Sequence, residues 1–404
     1  MRLVHLSDLH LGYRKYTRQS PQGVNQREAD VSLAFRAVID RVIALAPDLL
    51  VVAGDVFHAV RPPNNAIVDA FNAFTRLRTA LPRCEVVMVA GNHDAPRTSE
   101  TGSILGLFVA QGVHVVARGP QRIPIPALDL SILAVPDLGI PLPAATRAAL
   151  VPDPSARHNV LVFHGEWPGL VRQSEATAER TGNALAPGDV RAEDWSYVAL
   201  GHYHVLKEMA PNAFYCGALE YTSTDPWSEL AAERAARLPG KWFIERDLAT
   251  GKWTPHPVKV ARPFLDLPEI AGRGLAAAEI AEALRANVGR AGAKLEGAVV
   301  RQVVRDVPRH VARDIDPRLQ REVAERTLHF QLDTRRPEPL PAARGQGAAG
   351  RRATLADTVR DKLQARVLPS DVDRGRLVAL GLEYLARAEV RERAAVAEGT
   401  GAEP

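Results

Sequence analysis

The sequence has little of three features that would place a protein in a specialised class. Its 404 residues contain only two cysteines, Cys84 and Cys216, which are too few for a disulfide framework and do not form a CxxC zinc motif. No apolar run approaches the ~20 residues that span a bilayer. The first residues show no signal-peptide layout of charged, apolar and small-residue regions. We therefore expect a cytoplasmic protein in a reducing compartment, with no membrane segment.

The excess of positive charge is also small. Lysine and arginine number 51 against 47 for aspartate and glutamate, which gives a formal net charge of +4. Such a charge permits binding to a polyanion without demonstrating it. Hydrophobic residues make up 46% of the chain, enough for one large domain with one or two small ones, so wholesale disorder is excluded.

The first half alternates short β-rich runs with helical patterns, which predicts a layered α/β fold. Residues 49–53 (LLVVA) form a buried strand that ends at Gly54. Apolar residues between positions 31 and 43 recur at helical spacing, so a helix is predicted over 27–46. The other elements predicted here are a helix at 64–80 and strands at 3–7, 85–90, 113–117, 129–135, 159–164 and 196–200.

The second half divides into smaller parts. Short antiparallel strands are predicted over about 205–260, and a small α+β unit follows. Residues 335–352 are rich in Pro, Gly, Ala and Arg, which is typical of a flexible basic linker. The predicted organisation is a main domain at 1–262, a capping domain at 263–334, the linker at 335–352 and a C-terminal helical segment at 353–395.

Five short polar clusters each stand where a predicted strand ends. In α/β sheets the loops at the carboxyl ends of strands converge on one crevice, so we expect these side chains to meet. Their carboxylate, imidazole and carboxamide groups suit Mn²⁺, Fe²⁺ or Zn²⁺ better than an all-oxygen calcium site or a thiolate site. Each cluster alone is a weak signal, but the ordered set is a strong one. The clusters are Asp8-Leu9-His10, Gly54-Asp55-Val56-Phe57-His58, Gly91-Asn92-His93-Asp94, His164-Gly165 and Gly201-His202-Tyr203-His204.

This ordered set resembles the motifs of calcineurin-like metallophosphoesterases, and most closely their SbcD-type nuclease branch, the nuclease subunit of the SbcC–SbcD complex. His58 stands where many phosphatases of the superfamily carry Asp. The stretch Asn25-Gln26-Arg27-Glu28 before the first long helix is also similar to that branch, as are residues 197–204 and 262–266. The resemblance is closest over about 1–265 and extends more weakly to 334. It implies a four-layer α/β/β/α sandwich with a small α+β capping domain and C-terminal helices.

The resemblance also implies two adjacent divalent metal ions, with Mn²⁺ expected first and Fe²⁺ or Zn²⁺ as alternatives. Two such ions about 3.5–4 Å apart need a bridging carboxylate to offset their repulsion, and Asp55 is expected in that role. The expected ligands of one ion are Asp8, His10 and His204, and those of the other are Asn92, His164 and His202.

Three further residues are expected to take part in catalysis. By resemblance, His93 faces the phosphate and donates a hydrogen bond or proton to the leaving oxygen. Asp94 is a candidate to hold the ring of His93. His58 is expected to support phosphate binding or the geometry of the strand end, although simple packing around the metal site would explain it equally well.

The function that these expectations imply is Mn²⁺-dependent DNA cleavage in double-strand-break repair and recombination. The activity would be an exonuclease on double-stranded ends, with endonuclease action on single strands or hairpins as a further option. The expected partners are DNA, an SMC-like ATPase of the SbcC type, and a second copy of the chain within a heterotetramer. The ATPase is expected to dock on the C-terminal helices, for which folding back on the main body stays an alternative. The expected location is the cytoplasm, in association with the nucleoid.

Three alternatives stay open at this point. The first is a phosphodiesterase or phosphatase acting on a small molecule or phosphoprotein, although such enzymes need neither a cap nor a linker. The second is a non-catalytic scaffold, which would be expected to have lost metal ligands, whereas all seven positions are filled. The third is a module that chiefly binds DNA ends, whose phosphate contacts would make binding steeply salt-dependent.

Overall fold

The computed structural model describes residues 1–95, 102–169, 183–337, 354–365 and 373–399, and the chain forms two compact units, 1–337 and 338–404. The strands of the first unit are β1 (Arg2–Leu6), β2 (Leu49–Ala53), β3 (Glu85–Val89), β4 (His114–Val116), β5 (Gln121–Ile125), β6 (Leu130–Val135), β7 (His158–His164), β8 (Tyr197–Gly201), β9 (Lys207–Ala210), β10 (Ala213–Tyr215), β11 (Lys241–Asp247), β12 (Trp253–Val258), β13 (Phe264–Asp266), β14 (Ile270–Ala271), β15 (Val299–Arg305) and β16 (His329–Thr334). Its helices are α1 (Gln26–Leu45), α2 (Asn64–Ala80), α3 (Ala144–Ala148), α4 (Pro226–Ala235), α5 (Ala277–Ala291), α6 (Arg309–Arg313) and α7 (Pro317–Arg326).

Two six-stranded sheets form the main body of the first unit. The first sheet has the order β12-β11-β1-β2-β3-β4, and the second has the order β5-β6-β7-β8-β10-β9. In the first sheet β1 to β4 run parallel, and β11 and β12 add antiparallel pairs at one edge. In the second sheet β6, β7, β8 and β10 run parallel, and an antiparallel pair lies at each edge. The carboxyl ends of β1, β2 and β3 therefore lie along one edge of the first sheet, and those of β7 and β8 along one edge of the second.

Helix α1 illustrates how local sequence sets these elements. The Asn25 side chain caps its start by accepting hydrogen bonds from the amides of Arg27 (3.0 Å) and Glu28 (3.4 Å), which satisfies two otherwise unpaired helical donors. The helix ends at Ala46, in left-handed conformation, just before a proline. Five of the six apolar residues that predicted this helix are fully buried: Val31, Phe35, Val38, Ile39 and Val42.

The two-residue period of the strands divides the core into layers. On β2, Leu50 and Val52 pack towards α1 and α2, whereas Leu49, Val51 and Ala53 pack between the two sheets. Successive strand residues point to opposite faces, so a strand covered on both sides is apolar throughout. The five residues of β2 are all fully buried, as its sequence predicts.

A third apolar cluster covers the outer face of the second sheet. It joins Leu161 and Phe163 of β7 to Trp167 and Trp195 in the segments that follow. Within the described residues this outer layer contains the short helix α3 and loop segments rather than long helices. The α/β sandwich fold class predicted from the sequence is confirmed, with two multi-stranded sheets and α1 and α2 on the first of them.

Some strand pairings differ from the sequence prediction. Residues 205–260 were expected to form antiparallel strands, and β9 with β10 and β11 with β12 do pair in this way. However, β10 also pairs parallel with β8, and β11 crosses to the first sheet, where it pairs antiparallel with β1. Helix α4 was not predicted at all, because its short sequence PWSELAAERA carries little apolar periodicity. The choice of partner strand depends on contacts distant in sequence, which local patterns do not encode.

Residues 263–334 form a smaller sheet in which β15 pairs in parallel with β13, β14 and β16. Helices α5 and α7 pack on this sheet around Ile280, Leu284 and Leu319. Phe264 also packs with Tyr221 and Trp227 of the main body, which explains why residues 1–337 form one compact unit. The boundary predicted at 262 and 263 stays a prediction.

The second unit contains two described helices, α8 (Leu355–Gln364) and α9 (Arg374–Gly399). They pack on each other where Leu363 lies against Gly381. Residues 338–352 of the predicted linker lie outside the described residues, as do 353 and 366–372 of the predicted helical segment. Of the helices described in either unit, none is long and apolar enough to cross a bilayer.

Candidate metal centre

The loops that follow β1 and β2 are joined by backbone hydrogen bonds. The amide of Asp8 donates to the carbonyl of Gly54 (3.0 Å), and the amide of His10 donates to the carbonyl of Asp55 (2.9 Å). The sequence places these loops almost fifty residues apart, and the parallel pairing of β1 with β2 brings them together. Asp8, His10 and Asp55 therefore lie side by side at the edge of the first sheet.

The backbone at this edge is strained. Nine non-glycine residues of the described chain have a positive φ, and four of them are predicted ligands: Asp8 (52°), His10 (46°), Asp55 (51°) and His202 (106°). Such conformations cost of order 1–3 kcal/mol each and persist where the surroundings enforce them, often at functional sites. The strain indicates that the surrounding structure holds these loops in the conformation that brings the predicted ligands together.

The first predicted ligand set is brought together by the fold. The donor atoms of Asp8, His10 and His204 lie within 4.8 Å of one another, and all three residues are buried. The Nε2 atoms of His10 and His204 are 3.0 Å apart. The Asp8 carboxylate is held from behind by the amide of His202 at 2.9 Å and by the Ser7 hydroxyl.

The second predicted set also converges, across the gap between the two sheets. His164 Nε2 lies 3.0 Å from Asn92 Oδ1, and His202 Nδ1 lies 3.3 Å from the same oxygen. Asp55 stands between the two sets, because its Oδ2 is 3.4 Å from His164 Nε2 and 3.8 Å from His10 Nε2. Its other oxygen accepts a hydrogen bond from the amide of His93 at 2.9 Å.

The charge balance of this cluster fits divalent cations. Burial lowers the pKa of His10 well below its usual range, and His204 lowers it further, so the ring is neutral, as a metal ligand must be. Although burial opposes ionisation of Asp55, His164 lowers the pKa of that carboxyl well below its usual range. The Asp55 carboxylate is buried, which is costly for a charged group unless positive charge lies beside it.

The pKa of His164 also indicates that the two carboxylates favour positive charge at this position. Burial lowers its pKa, but Asp55 and Asp8 outweigh that effect and raise the pKa of His164 to about 10. The two buried carboxylates therefore attract positive charge to this position. Carboxylate, imidazole and amide groups are donors suited to Mn²⁺, Fe²⁺ or Zn²⁺, so the residues present fit the two ions expected from the sequence.

His93 and His58 lie together at the partly exposed side of the cluster. Their rings stack with centroids 5.0 Å apart, and His93 Nδ1 lies 2.8 Å from the carbonyl oxygen of His58. His58 Nδ1 in turn lies 3.2 Å from His10 Nδ1. These three histidines form a further group whose donor atoms lie within 4.8 Å of one another. Because a carbonyl only accepts, Nδ1 of His93 carries the proton when it bonds to His58.

Asp94 is placed differently from our expectation. Its carboxylate accepts hydrogen bonds from the backbone amides of Val56 (2.8 Å), Phe57 (2.8 Å) and Gly91 (3.3 Å). These bonds fix the turn after β2, and the Nδ1 of His93 is oriented by the carbonyl of His58 instead. Two further residues near the centre, Glu229 and Lys241, were missed because α4 was not predicted and neither residue belongs to a strand-end motif.

Two packed sheets with carboxylate, imidazole and amide groups gathered where their strands end define a metallophosphoesterase. The chain belongs to the calcineurin-like phosphoesterase family, whose family model matches residues 1–206. The family uses a dinuclear metal site, and this chain provides candidate histidine and aspartate ligand groups for one.

Several named proteins are similar to this chain. The DNA double-strand break repair protein Mre11 of Methanococcus maripaludis is 35% identical over 108 residues, which are 27% of each chain. The protein of the same name from Methanopyrus kandleri is 28% identical over 51% of this chain and 45% of its own. The SbcD subunit of the SbcCD nuclease of Rhodobacter capsulatus is 29% identical over 66% of this chain and 72% of its own. The chain thus spans between about a quarter and a half of the two Mre11 relatives.

Proposed function

We propose that this protein is a two-metal DNA phosphodiesterase that acts in double-strand-break repair. The observation that carries the proposal is the convergence of seven predicted ligands from five strand-end loops, with Asp55 between the two sets. We assign Asp8, His10 and His204 to one ion, Asn92, His164 and His202 to the other, and Asp55 to both. Mn²⁺ is the ion we expect first.

The residues around the two ions have separate roles in the proposed reaction. When bound, the ions lower the pKa of a water molecule and stabilise charge on the phosphate. His93 lies on the partly exposed side, where it donates a hydrogen bond or proton to the leaving oxygen. The carbonyl of His58 orients the ring of His93 for this role, and Asp94 fixes the loop that carries His58.

DNA is the proposed substrate because of the relatives. Relatives named for double-strand-break repair and for a nuclease match this chain, and the Rhodobacter relative covers 66% of it, a larger share than the family model does. We propose exonuclease action on double-stranded ends, with endonuclease action on single strands or hairpins. The activity would take place in the cytoplasm, at the nucleoid.

The test is a cleavage assay on linear duplex DNA with Mn²⁺, run beside a chromogenic phosphodiester. We expect wild-type protein to degrade the DNA and the Asp55→Asn variant to lose activity on both substrates, because the variant removes the charge placed between the ions. Hydrolysis of the diester without DNA cleavage, in the presence of the ATPase partner, would contradict the DNA assignment and favour a small-molecule substrate.

The second unit supports a proposed docking site for an SbcC-type ATPase. Of the side chains described in 354–365 and 373–388, none is fully buried, and Leu355, Leu380 and Tyr384 are exposed. An amphipathic helix pair that lacks a core of its own gains stability by covering its apolar face with a partner. We therefore propose that α8 and α9 bind the ATPase subunit.

A second proposed interface lies on α2 and the adjoining 3₁₀ turn at Ile104–Gln111. Val68 and Phe71 of α2 are exposed, as are Leu107 and Val109 of the turn, and Gln111 joins the two elements by donating to the carbonyl of Phe71 (3.0 Å). Exposed apolar side chains grouped in this way are typical of protein interfaces. We propose that this face forms a homodimer, within a heterotetramer that includes the ATPase.

A further inference from the structure

Three buried charged side chains lie behind His204, and the proposed function does not use them. Glu229 and Glu233 stand one turn apart on α4, and Lys241 begins β11; their exposed fractions are 5%, 1% and 2%. The Lys241 ammonium pairs with Glu229 and lies 3.1 Å from Glu233 Oε1. Two carboxylates against one ammonium leave one excess negative charge in the interior, which is costly unless positive charge lies nearby.

The Glu229 carboxylate faces His204. Glu229 Oε1 lies 3.7 Å from His204 Nδ1, while His204 Nε2, on the opposite side of the ring, lies 3.0 Å from His10 Nε2. The imidazole therefore stands between a buried carboxylate and the position assigned to a metal ion. A carboxylate on the outer nitrogen of a histidine ligand fixes the tautomer and ring orientation and strengthens the ligand.

Hydrogen bonds hold this carboxylate in place. Ser223 donates to Glu229 Oε1 from both its hydroxyl and its amide, and Lys241 also donates to the carbonyl of His204 at 3.2 Å. Because Lys241 pairs with Glu229 and also donates to the carbonyl of His204, it fixes the carboxylate relative to the backbone of the ligand.

Glu233 provides a contrast within the same cluster. Its Oε2 accepts hydrogen bonds from the Tyr221 hydroxyl (2.8 Å) and the Gly240 amide (3.0 Å). It shares Lys241 with Glu229, but these hydrogen bonds lead to Tyr221 and to the α4–β11 connection rather than to the ring of His204. Glu229 and Glu233 are thus the same residue type, are both buried and lie on the same helix, but only Glu229 lies beside the ring of His204.

We propose that Glu229 is a positioning residue that acts through His204, directing its Nε2 towards the metal position shared with Asp8 and His10. Lys241 holds Glu229 in that position. The inference rests on the proposed two-metal function and extends it by naming the residues that set the affinity of one ion.

The experiment is calorimetric titration of the full chain with Mn²⁺, comparing wild type, Glu229→Gln and the matched control Glu233→Gln. We expect Glu229→Gln to weaken one of the two ions by about 10–100-fold and to leave the other unchanged. Glu233→Gln should bind both ions as wild type does, even if its thermal stability falls. Equal Mn²⁺ affinities in Glu229→Gln and wild type, or equal weakening in both variants, would overturn the inference.

A wild-type protein that binds fewer than two Mn²⁺ ions would instead refute the two-metal function, so the two failures are distinguishable.

A second measurement needs no variant of Glu229 and covers the case in which that variant fails to fold. Nitrogen-15 NMR of the Zn²⁺-loaded wild type, with the His204 signals assigned by their loss in His204→Gln, should show Nδ1 protonated and Nε2 unprotonated. The opposite tautomer would overturn the inference.

Discussion

At the scale of single residues, the orientation of His93 is set by backbone rather than by a carboxylate. Its Nδ1 bonds to the carbonyl of His58, so Nε2 is the nitrogen that would face a substrate in the proposed reaction. Its own amide meanwhile holds Asp55 at 2.9 Å. His93 thus supports the proposed ligand Asp55 through its backbone amide and the proposed proton transfer through its side chain. A substitution of the side chain removes the second role and keeps the first.

The His93→Gln variant should retain the backbone bond to Asp55 and lose the proton donor. We expect kcat for the cleaved phosphodiester to fall by about 10²–10⁴-fold, with both Mn²⁺ ions still bound, as measured by steady-state kinetics and calorimetry. The control is His114→Gln, since His114 pairs with Glu85 on partly exposed strands. Loss of a metal ion in His93→Gln would show that His93 is a ligand.

At the scale of elements, a buried ionic network fixes the start of α1. Arg27 pairs with Asp30 (2.8 Å) and with Glu220 (3.1 Å), and Asp30 also pairs with Arg262 in the segment after β12. Arg27 is fully buried, so removing one partner would leave an uncompensated charge inside the protein. The network joins the main body to the chain that leads into the third sheet.

This network gives the stability of the protein a defined pH dependence. Burial alone raises the pKa of Asp30, but hydrogen bonds from Arg262 and Gln26 and the charge of Arg27 lower it below its ordinary value of 3.8. The folded protein therefore binds this proton more weakly than the unfolded chain does. The stabilisation is complete above about pH 4 and is lost as the pH falls through the lower, folded-state pKa.

The Asp30→Asn variant should lower the free energy of unfolding by about 3–5 kcal/mol at pH 7, and this difference should narrow below about pH 4. Urea denaturation at pH 7 and pH 3 measures both quantities. Asp40→Asn, on the same helix, is the control, because its pair with Arg76 is exposed and should contribute less than about 1 kcal/mol. A difference independent of pH would argue against ionised Asp30 as the cause.

At the scale of the whole molecule, the two proposed interfaces lie on different units and can be tested separately. A chain that ends at residue 337 keeps the three sheets and their cores. We expect it to cleave short DNA with Mn²⁺ but to lose co-purification with the ATPase subunit, because the exposed apolar residues of α8 and α9 are gone. Retained co-purification would place the docking site elsewhere.

The homodimer is tested by placing a charge on its proposed face. Phe71→Glu should convert the dimer to a monomer in light scattering coupled to gel filtration, because a buried carboxylate without a partner opposes association. Val151→Glu changes another exposed apolar residue outside that face and should leave the mass unchanged. A dimer that persists in Phe71→Glu at micromolar concentration would contradict this interface.

Local patterns in the sequence predict α1, β2 and the motifs of the site. The apolar spacing of α1, the uninterrupted apolar run of β2 and the polar clusters at strand ends are local patterns, and each is visible within about twenty residues. Parallel strands place their carboxyl ends at one edge, so the gathering of Asp8, Asp55 and Asn92 could be predicted from the sequence alone.

Contacts between groups that lie far apart in the sequence depend on the tertiary structure. The amide of His202 holds Asp8 across 194 positions, and the crossing of β11 to the first sheet brings Lys241 to the carbonyl of His204. The bonding of Asp94 to backbone amides was also decided by the fold of the loop after β2. These contacts depend on strand register and sheet packing, which arise from the sum of many distant interactions and leave no local pattern in the sequence.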